Sequence, residues 1–161
     1  MTMKKMILSL LAIALCGTAL ADGFALKGER RVKLAINWSE ASILGYTADE
    51  IVTYEQDWYV DQPFLLEKMS KFYNREMAEV LPGVSGVETN YTLELRPLKV
   101  NKKGDMTCYA VVIDREGKVV ETLRTFKANG GHCGTFLNLV GDGMKSAGKQ
   151  MAKQVRKRLK K

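Results

Sequence analysis

The spacing of apolar residues divides the chain into strands and helices. Apolar and polar residues alternate from Val32 to Trp38, which predicts a strand with one buried face. Thr47 and Glu50 have the spacing of a helix capping box, in which each side chain accepts a hydrogen bond from the main chain of the other. A short helix is therefore expected from this box toward Tyr54.

A longer helix is predicted to begin at Asp61 and Pro63, since proline in the first turn loses no hydrogen bond that the helix needs. Its apolar residues recur at helical spacing and comprise Leu65, Leu66, Met69, Phe72, Tyr73, Met77 and Val80. The helix is expected to end before Pro82, and residues 83–90 are expected to form a loop.

Three strands are predicted next, at Tyr91–Val100, Met106–Ile113 and Val119–Phe126. Pro97 interrupts the first of them and shifts its alternation, which indicates a bulge or an edge position. The polar turns between these strands contain glycine, as hairpin connections require. The last 25 or so residues have helical periodicity.

These elements follow the order β-α-α-β-β-β-α. Consecutive hairpins pair antiparallel strands, and two long amphipathic helices need a sheet face to cover. The sequence therefore predicts an α+β fold, with an antiparallel sheet of about four strands and two long amphipathic helices mainly on one face.

The N-terminal residues are typical of an export signal. Two lysines precede the apolar run Met6–Leu15, and the small-x-small pattern ends at Ala21, where cleavage is expected. The run is too short to cross a bilayer core of about 30 Å. A lipoprotein signal at Cys16 is the alternative, but Leu15 is larger than the residue that normally precedes a lipidated cysteine. The protein is therefore expected to be periplasmic or secreted, as a single α+β domain at residues 22–161 after cleavage of residues 1–21.

Two cysteines remain after this cleavage, Cys108 and Cys133. Disulfides persist in exported compartments, so a Cys108–Cys133 disulfide is predicted. The alternative is two buried thiols that act as small apolar residues.

The basic residues are concentrated at the C-terminus, since residues 145–161 contain eight basic side chains and no acidic one. A helical projection places Lys145, Lys149, Lys153, Arg156, Lys157 and Lys160 opposite the apolar side. Gly148 falls on that apolar side, where we expect close approach to the sheet. The basic face either contacts only water or binds an anionic surface, such as lipid headgroups or an acidic glycan. Nucleic acid is not expected as a partner.

Catalytic chemistry has little support in the sequence. The chain has one histidine, His132, next to Cys133, and neighbouring residues seldom face each other. The glycine-rich residues 130–135 lack the glycine-lysine-hydroxyl ending of a phosphate-binding loop. No metal, cofactor or small-molecule substrate is predicted, although a hydrolase using Glu or Asp with Tyr stays open. Tyr54, Trp58 and Tyr59 either form a sugar-stacking platform or cap the core.

Two stretches carry a resemblance to known proteins, the residues 34–45 (LAINWSEASILG) and 134–144 (GTFLNLVGDGM). With the signal peptide and the intervening strands they resemble a group of small exported proteins of Bacteroidetes, which brings no catalytic residues to this chain. The order of elements is also similar to the N-terminal domain of TolB. We therefore expect an exported, non-enzymatic envelope or secreted module that binds a protein or a polymer, with attachment to an anionic membrane through the C-terminal helix as the alternative.

Overall fold

The computed structural model describes residues 23–161, which form an α+β fold. The predicted leader, residues 1–21, lies outside this part of the chain. The described strands are β1 (Val32–Ile36), β2 (Ser42–Ile43), β3 (Gly83–Val84), β4 (Thr92–Val100), β5 (Met106–Ile113), β6 (Val119–Thr122) and β7 (Phe126–Ala128). The helices are α1 (Gln62–Met77) and α2 (Phe136–Leu159), preceded by a 3-10 helix at Ile51–Thr53.

The strands form one mixed sheet of seven members within residues 23–161, with the central order β3-β1-β4-β5-β6. β1 is parallel to both β3 and β4, and β2 is also parallel to β4. β5 is antiparallel to β4, β6 and β7. The prediction of about four antiparallel strands is therefore wrong, because the connection from β1 to β4 crosses the sheet through α1, and such a crossover returns the chain in the same direction.

Both helices cover one face of this sheet, as predicted. Alternate residues of the central strands, such as Leu34, Leu93 and Val112, share a core with the buried side of both helices. α1 contributes Leu65, Met69, Tyr73 and Met77 to this core. The opposite face of the sheet carries Glu94 and Arg96 of β4, which are paired with Val111 and Tyr109 of β5.

Several local predictions are confirmed by hydrogen bonds. Glu50 accepts from the Thr47 amide at 2.8 Å and Thr47 accepts from the Glu50 amide at 3.3 Å, so the capping box is present. The register of β4 against β5 shifts between Pro97 and Lys99, which is the predicted bulge. The prediction of one loop at residues 83–90 is wrong at its start, because Gly83 and Val84 form β3 by pairing with β1.

The predicted strand Val119–Phe126 is divided into β6 and β7. The break lies at residues 123–125, where Leu123 is buried and Arg124 turns its main chain toward α2. This break places a loop from the sheet edge beside the C-terminal half of α2.

Gly148 allows close approach to α1 rather than to the sheet. A Cβ atom there would overlap the main-chain carbonyl of Met69 and lie 3.0 Å from the Tyr73 amide nitrogen. The expectation of close approach to the sheet is corrected accordingly, because the α2 side that carries Gly148 meets α1 before it meets a strand.

Candidate functional site

The six predicted surface cations of α2 do not form one equivalent set. Lys149, Lys153, Lys157 and Lys160 are exposed, whereas Lys145 and Arg156 are partly buried. The Lys145 ammonium donates to Asp142 at 2.7 Å, and the Arg156 guanidinium donates to the Glu76 main-chain carbonyl. The charges nearest to α1 therefore take part in contacts within the molecule.

The Phe72 ring of α1 contacts two further cations, one from each helix. The Lys149 ammonium lies 5.0 Å from the centre of the Phe72 ring, and the Arg75 guanidinium lies 4.0 Å from the same ring. Cations within about 6 Å of a ring centre are attracted by its electron-rich face. This contact orders the lysine stem but leaves the ammonium in water.

A groove of about 360 Å³ lies between α2 and the loop that joins β6 to β7. Its cationic lining residues are Arg124, Lys153, Lys157, Arg158 and Lys161, and no acidic side chain of residues 23–161 lines it. Leu123 and Thr122 form part of the wall on the sheet side. We call this feature the basic groove.

Gln154 connects the two walls of the basic groove. Its side-chain oxygen accepts from the Arg124 amide at 3.0 Å, and its side-chain nitrogen donates to the Arg124 carbonyl at 2.9 Å. Both main-chain groups of Arg124 are thus paired with one side chain of α2. This double contact holds the Arg124 loop at a defined distance from the lysines.

Arg158 is the one groove cation with an ion-pair partner among the described residues. It donates to Glu121 at 2.9 Å and lies 4.8 Å from the centre of the Phe24 ring. In the helical projection Arg158 is the basic residue on the apolar side of α2, and the contacts with Glu121 and Phe24 explain how it is accommodated there. Because Glu121 compensates its charge, Arg158 contributes to the shape of the groove more than to the attraction of an anionic ligand.

The other four groove cations form no ion pair within residues 23–161. Lys153 and Lys157 are four residues apart and so lie about 6 Å apart along α2, and Lys161 follows just beyond the end of the helix. Arg124 faces them from the loop. This line of positive charge fits a ligand that presents several negative groups at short intervals.

Only part of the basic groove is visible in the sequence. The helical projection identified Lys153 and Lys157, but Arg124 lies about thirty residues earlier in what was predicted as a strand. Its approach to α2 depends on the break between β6 and β7. Nothing in the sequence around Arg124 indicates that this loop contacts α2.

The two cysteines of residues 23–161 are unbonded, with Cys108 buried and Cys133 exposed. Burial raises the pKa of the Cys108 thiol to about 12, so it behaves as a small apolar residue of β5. Cys133 and His132 lie in the loop before α2. The Cys108–Cys133 disulfide stays a prediction.

The predicted aromatic group is split by the fold. Trp58 is buried and meets Trp38 edge-on, with ring centres 4.9 Å apart, whereas Tyr54 and Tyr59 are exposed. Trp58 therefore caps the core, and the three residues do not form one platform.

Carboxylates on the open face of the sheet are engaged by neighbouring groups. Glu94 accepts from the Arg96 guanidinium at 2.8 Å, and Glu40 accepts from the Tyr109 hydroxyl at 2.9 Å. Hydrogen bonding of Arg96 to Glu94, and to a lesser extent to Tyr109, raises the pKa of Arg96 above its ordinary value. The pair of Glu40 and Tyr109 is one place for the hydrolase hypothesis, with a carboxylate and a tyrosine, and Arg96 compensates both Glu40 and Glu94 there.

Metal-binding clusters and membrane-spanning helices are both absent from residues 23–161. This part of the chain contains no cluster of three or more His, Cys, Asp or Glu side chains able to hold a metal ion. Within the same residues, neither helix combines the length and apolar character that a membrane span needs.

Comparison with known proteins identifies no family for this two-layer α+β chain. No family model and no curated protein matches it. Among solved structures, it is similar to a single-residue variant of PelC, a dodecamer from Paraburkholderia phytofirmans, with 16% identity, a TM-score of 0.41, and coverage of 82% of this chain and 92% of that one. A DUF330 protein from Xanthomonas campestris gives 8% identity, a TM-score of 0.42, and coverage of 86% and 92%. The predicted resemblance to exported proteins of Bacteroidetes and to TolB stays a prediction.

Proposed function

We propose that this protein is an exported, non-enzymatic module that binds an acidic polymer through the basic groove. The observation that carries the proposal is a set of four cations around one concave surface that form no ion pair within residues 23–161, namely Arg124, Lys153, Lys157 and Lys161. Unpaired like charges repel one another and do not stabilise a fold. Their concentration at one groove is better explained by an anionic ligand.

The burial of the apolar side of α2 favours a polymer over a bilayer as the ligand. Membrane-surface helices insert an apolar face among the lipids. In α2 that face is already used, because Val140, Met144, Ala147, Met151 and Val155 are fully buried in the core. Attachment to an anionic membrane, the second candidate, would depend on charge attraction alone.

Two further parts of the proposal depend on sequence. Export depends on the predicted leader at residues 1–21, which would bring the groove into contact with periplasmic or extracellular polymers. The non-enzymatic part depends on the lack of a recognisable nucleophile and base pair in the sequence, together with compensated carboxylates at Glu40 and Glu94.

The proposal is tested by binding of the purified chain to polygalacturonate, with neutral dextran and phosphatidylglycerol vesicles as comparison ligands. The test variant is Lys153→Glu with Lys157→Glu, and the control is Lys102→Glu with Lys118→Glu, which changes the net charge equally at exposed turn residues. At about 1 kcal/mol for each lysine near an anionic surface, the groove variant should bind polygalacturonate about 30-fold more weakly. The control should lose less than about threefold, which is the share due to long-range attraction alone.

Three results would overturn the proposal. The first is equal binding of polygalacturonate by the groove variant and the unchanged chain. The second is binding of dextran as strongly as polygalacturonate. The third is binding of the vesicles without binding of the soluble polymer. The last result would establish the membrane alternative.

A further inference from the structure

A second surface of the molecule combines negative charge with exposed apolar side chains. Residues 46–61 contain five carboxylates and no basic residue: Asp49, Glu50, Glu55, Asp57 and Asp61. The same segment exposes Tyr46, Tyr54, Tyr59 and Val60, with Val60 75% exposed. We call residues 46–61 the acidic patch.

The tyrosine rings of the acidic patch are held in place by contacts within the molecule. Tyr46 and Tyr54 are stacked, with ring centres 6.5 Å apart, and Tyr54 meets Phe136 edge-on at 5.9 Å. The Tyr59 hydroxyl donates to Asp49 at 2.8 Å. Rings that are already ordered lose little conformational freedom when a partner covers them.

The acidic patch and the basic groove lie at opposite ends of α2. Phe136, which contacts Tyr54, is the first residue of the helix. Lys153 lies seventeen residues later, which at 1.5 Å per residue corresponds to about 25 Å along the axis. The protein is therefore polarised, with the acidic patch at one end of α2 and the basic residues from Lys153 to Lys161, which we call the basic end, at the other.

We propose that the acidic patch of one copy of this chain binds the basic C-terminal half of α2 of a second copy, head to tail. Aromatic residues are enriched at protein interfaces, which are surrounded by a polar rim. Lysine stems pack along aromatic rings while their ammonium groups reach carboxylates. The chain already uses this pairing internally, since the Lys68 ammonium lies 4.9 Å from the centre of the Phe64 ring and Lys149 lies over Phe72.

Head-to-tail contact uses two different surfaces of each copy, so a bound pair still has one free acidic patch and one free basic end. Association therefore continues to larger species as concentration rises. Lys153 and Lys157 belong to the basic groove as well as to the basic end, so an acidic polymer competes with a second copy for them.

The test exchanges the charges of the two ends in separate variants. The basic-reversed variant carries Lys153→Glu and Lys157→Glu, and the acid-reversed variant carries Glu55→Lys and Asp57→Lys. Sedimentation velocity follows each alone, and an equimolar mixture, in about 10 mM salt, where the screening length is about 30 Å, and in about 1 M salt, where it is about 3 Å. Circular dichroism establishes that each variant is folded.

The unchanged chain should form oligomers that grow with concentration in low salt and dissociate in high salt. Each reversed variant should be monomeric alone, because one of its two ends has lost most of its charge. The mixture should form a complex, because it still supplies one unchanged acidic patch and one unchanged basic end. The control Lys102→Glu with Lys118→Glu should associate like the unchanged chain. Tyr54→Ser, which leaves the charge unchanged, should weaken association about tenfold.

A chain that stays monomeric in low salt, or a mixture of folded reversed variants that forms no complex, would overturn the proposal. These results leave the proposed polymer binding intact. The acid-reversed variant separates the two ideas, because it should lose self-association and still bind polygalacturonate.

Discussion

Gly148 of α2 lies directly against the main-chain carbonyl of Met69 in α1. Where two helices meet main chain to main chain, no side chain fits between them, and the glycine sets the distance at which the helices cross. The position of α2 over the sheet, and hence of the basic groove, depends on this contact.

Replacing Gly148 by alanine should destabilise the protein. The added methyl group would overlap the Met69 carbonyl oxygen and lie 3.0 Å from the Tyr73 amide nitrogen, and neither main-chain atom can move without shifting α1. We expect the free energy of unfolding, measured with urea, to fall by about 2 kcal/mol. Gly141→Ala is the matched control, because its methyl group would lie 3.1 Å from a Phe64 ring atom that can rotate away. Equal stability of the two variants would contradict the close crossing.

Tyr73→Phe should stabilise the protein. Tyr73 is fully buried, its hydroxyl has no hydrogen-bond partner within residues 23–161, and burial raises the pKa of this hydroxyl above its ordinary value. Removing an unsatisfied buried polar group relieves its desolvation cost, so the free energy of unfolding should rise by about 1 kcal/mol. Tyr109→Phe removes a hydroxyl that donates to Glu40 and should lower stability slightly. A clear loss of stability in Tyr73→Phe would show that the hydroxyl has a partner in solution.

Asp105 should make stability depend on pH. Its carboxylate accepts from the Asn101 side chain at 2.9 Å and from the Gly130 amide at 2.8 Å, and these hydrogen bonds lower its pKa. Because the folded-state pKa lies below the unfolded value of about 3.9, the contribution is fully present above that value and is lost as pH falls through the lowered pKa.

Thermal unfolding from pH 7 to pH 2 tests this contribution. Asp105→Asn should unfold at a lower temperature than the unchanged chain at pH 7, and the difference should shrink as the pH falls below about 4. Asp57→Asn, the same change at an exposed residue, should show a smaller difference at pH 7. A difference for Asp105→Asn that does not vary with pH would contradict the assignment.

Gln154→Leu should weaken polymer binding without changing the charge of the basic groove. The variant loses both hydrogen bonds to the Arg124 main chain, so the loop is no longer held against α2. We expect the free energy of unfolding to fall by about 1 kcal/mol and the affinity for polygalacturonate to fall several-fold. Gln150→Leu is the control, since Gln150 also lines the groove and should affect neither quantity strongly. Unchanged affinity in Gln154→Leu would show that the Arg124 loop is not part of the site.

The sequence by itself determined the elements whose signals are local. The capping box of Thr47 and Glu50, the strand Met106–Ile113 and the C-terminal helix all follow from periodicity or from side-chain to main-chain bonds over a few residues. The basic side of α2 was predictable for the same reason, because helical geometry fixes which of its residues lie together.

Only the tertiary structure decided the relations between distant segments. The parallel pairing of β1 with β4, the break between β6 and β7, and the contact of Arg124 with Gln154 join residues far apart in the chain. The tertiary structure also decided which cations of α2 are compensated, because Arg156 pairs with Glu76 and Arg158 pairs with Glu121, both on other elements. Periodicity shows which side of a strand or helix is buried. It does not show which residues pack against that side, because this depends on how the whole core packs.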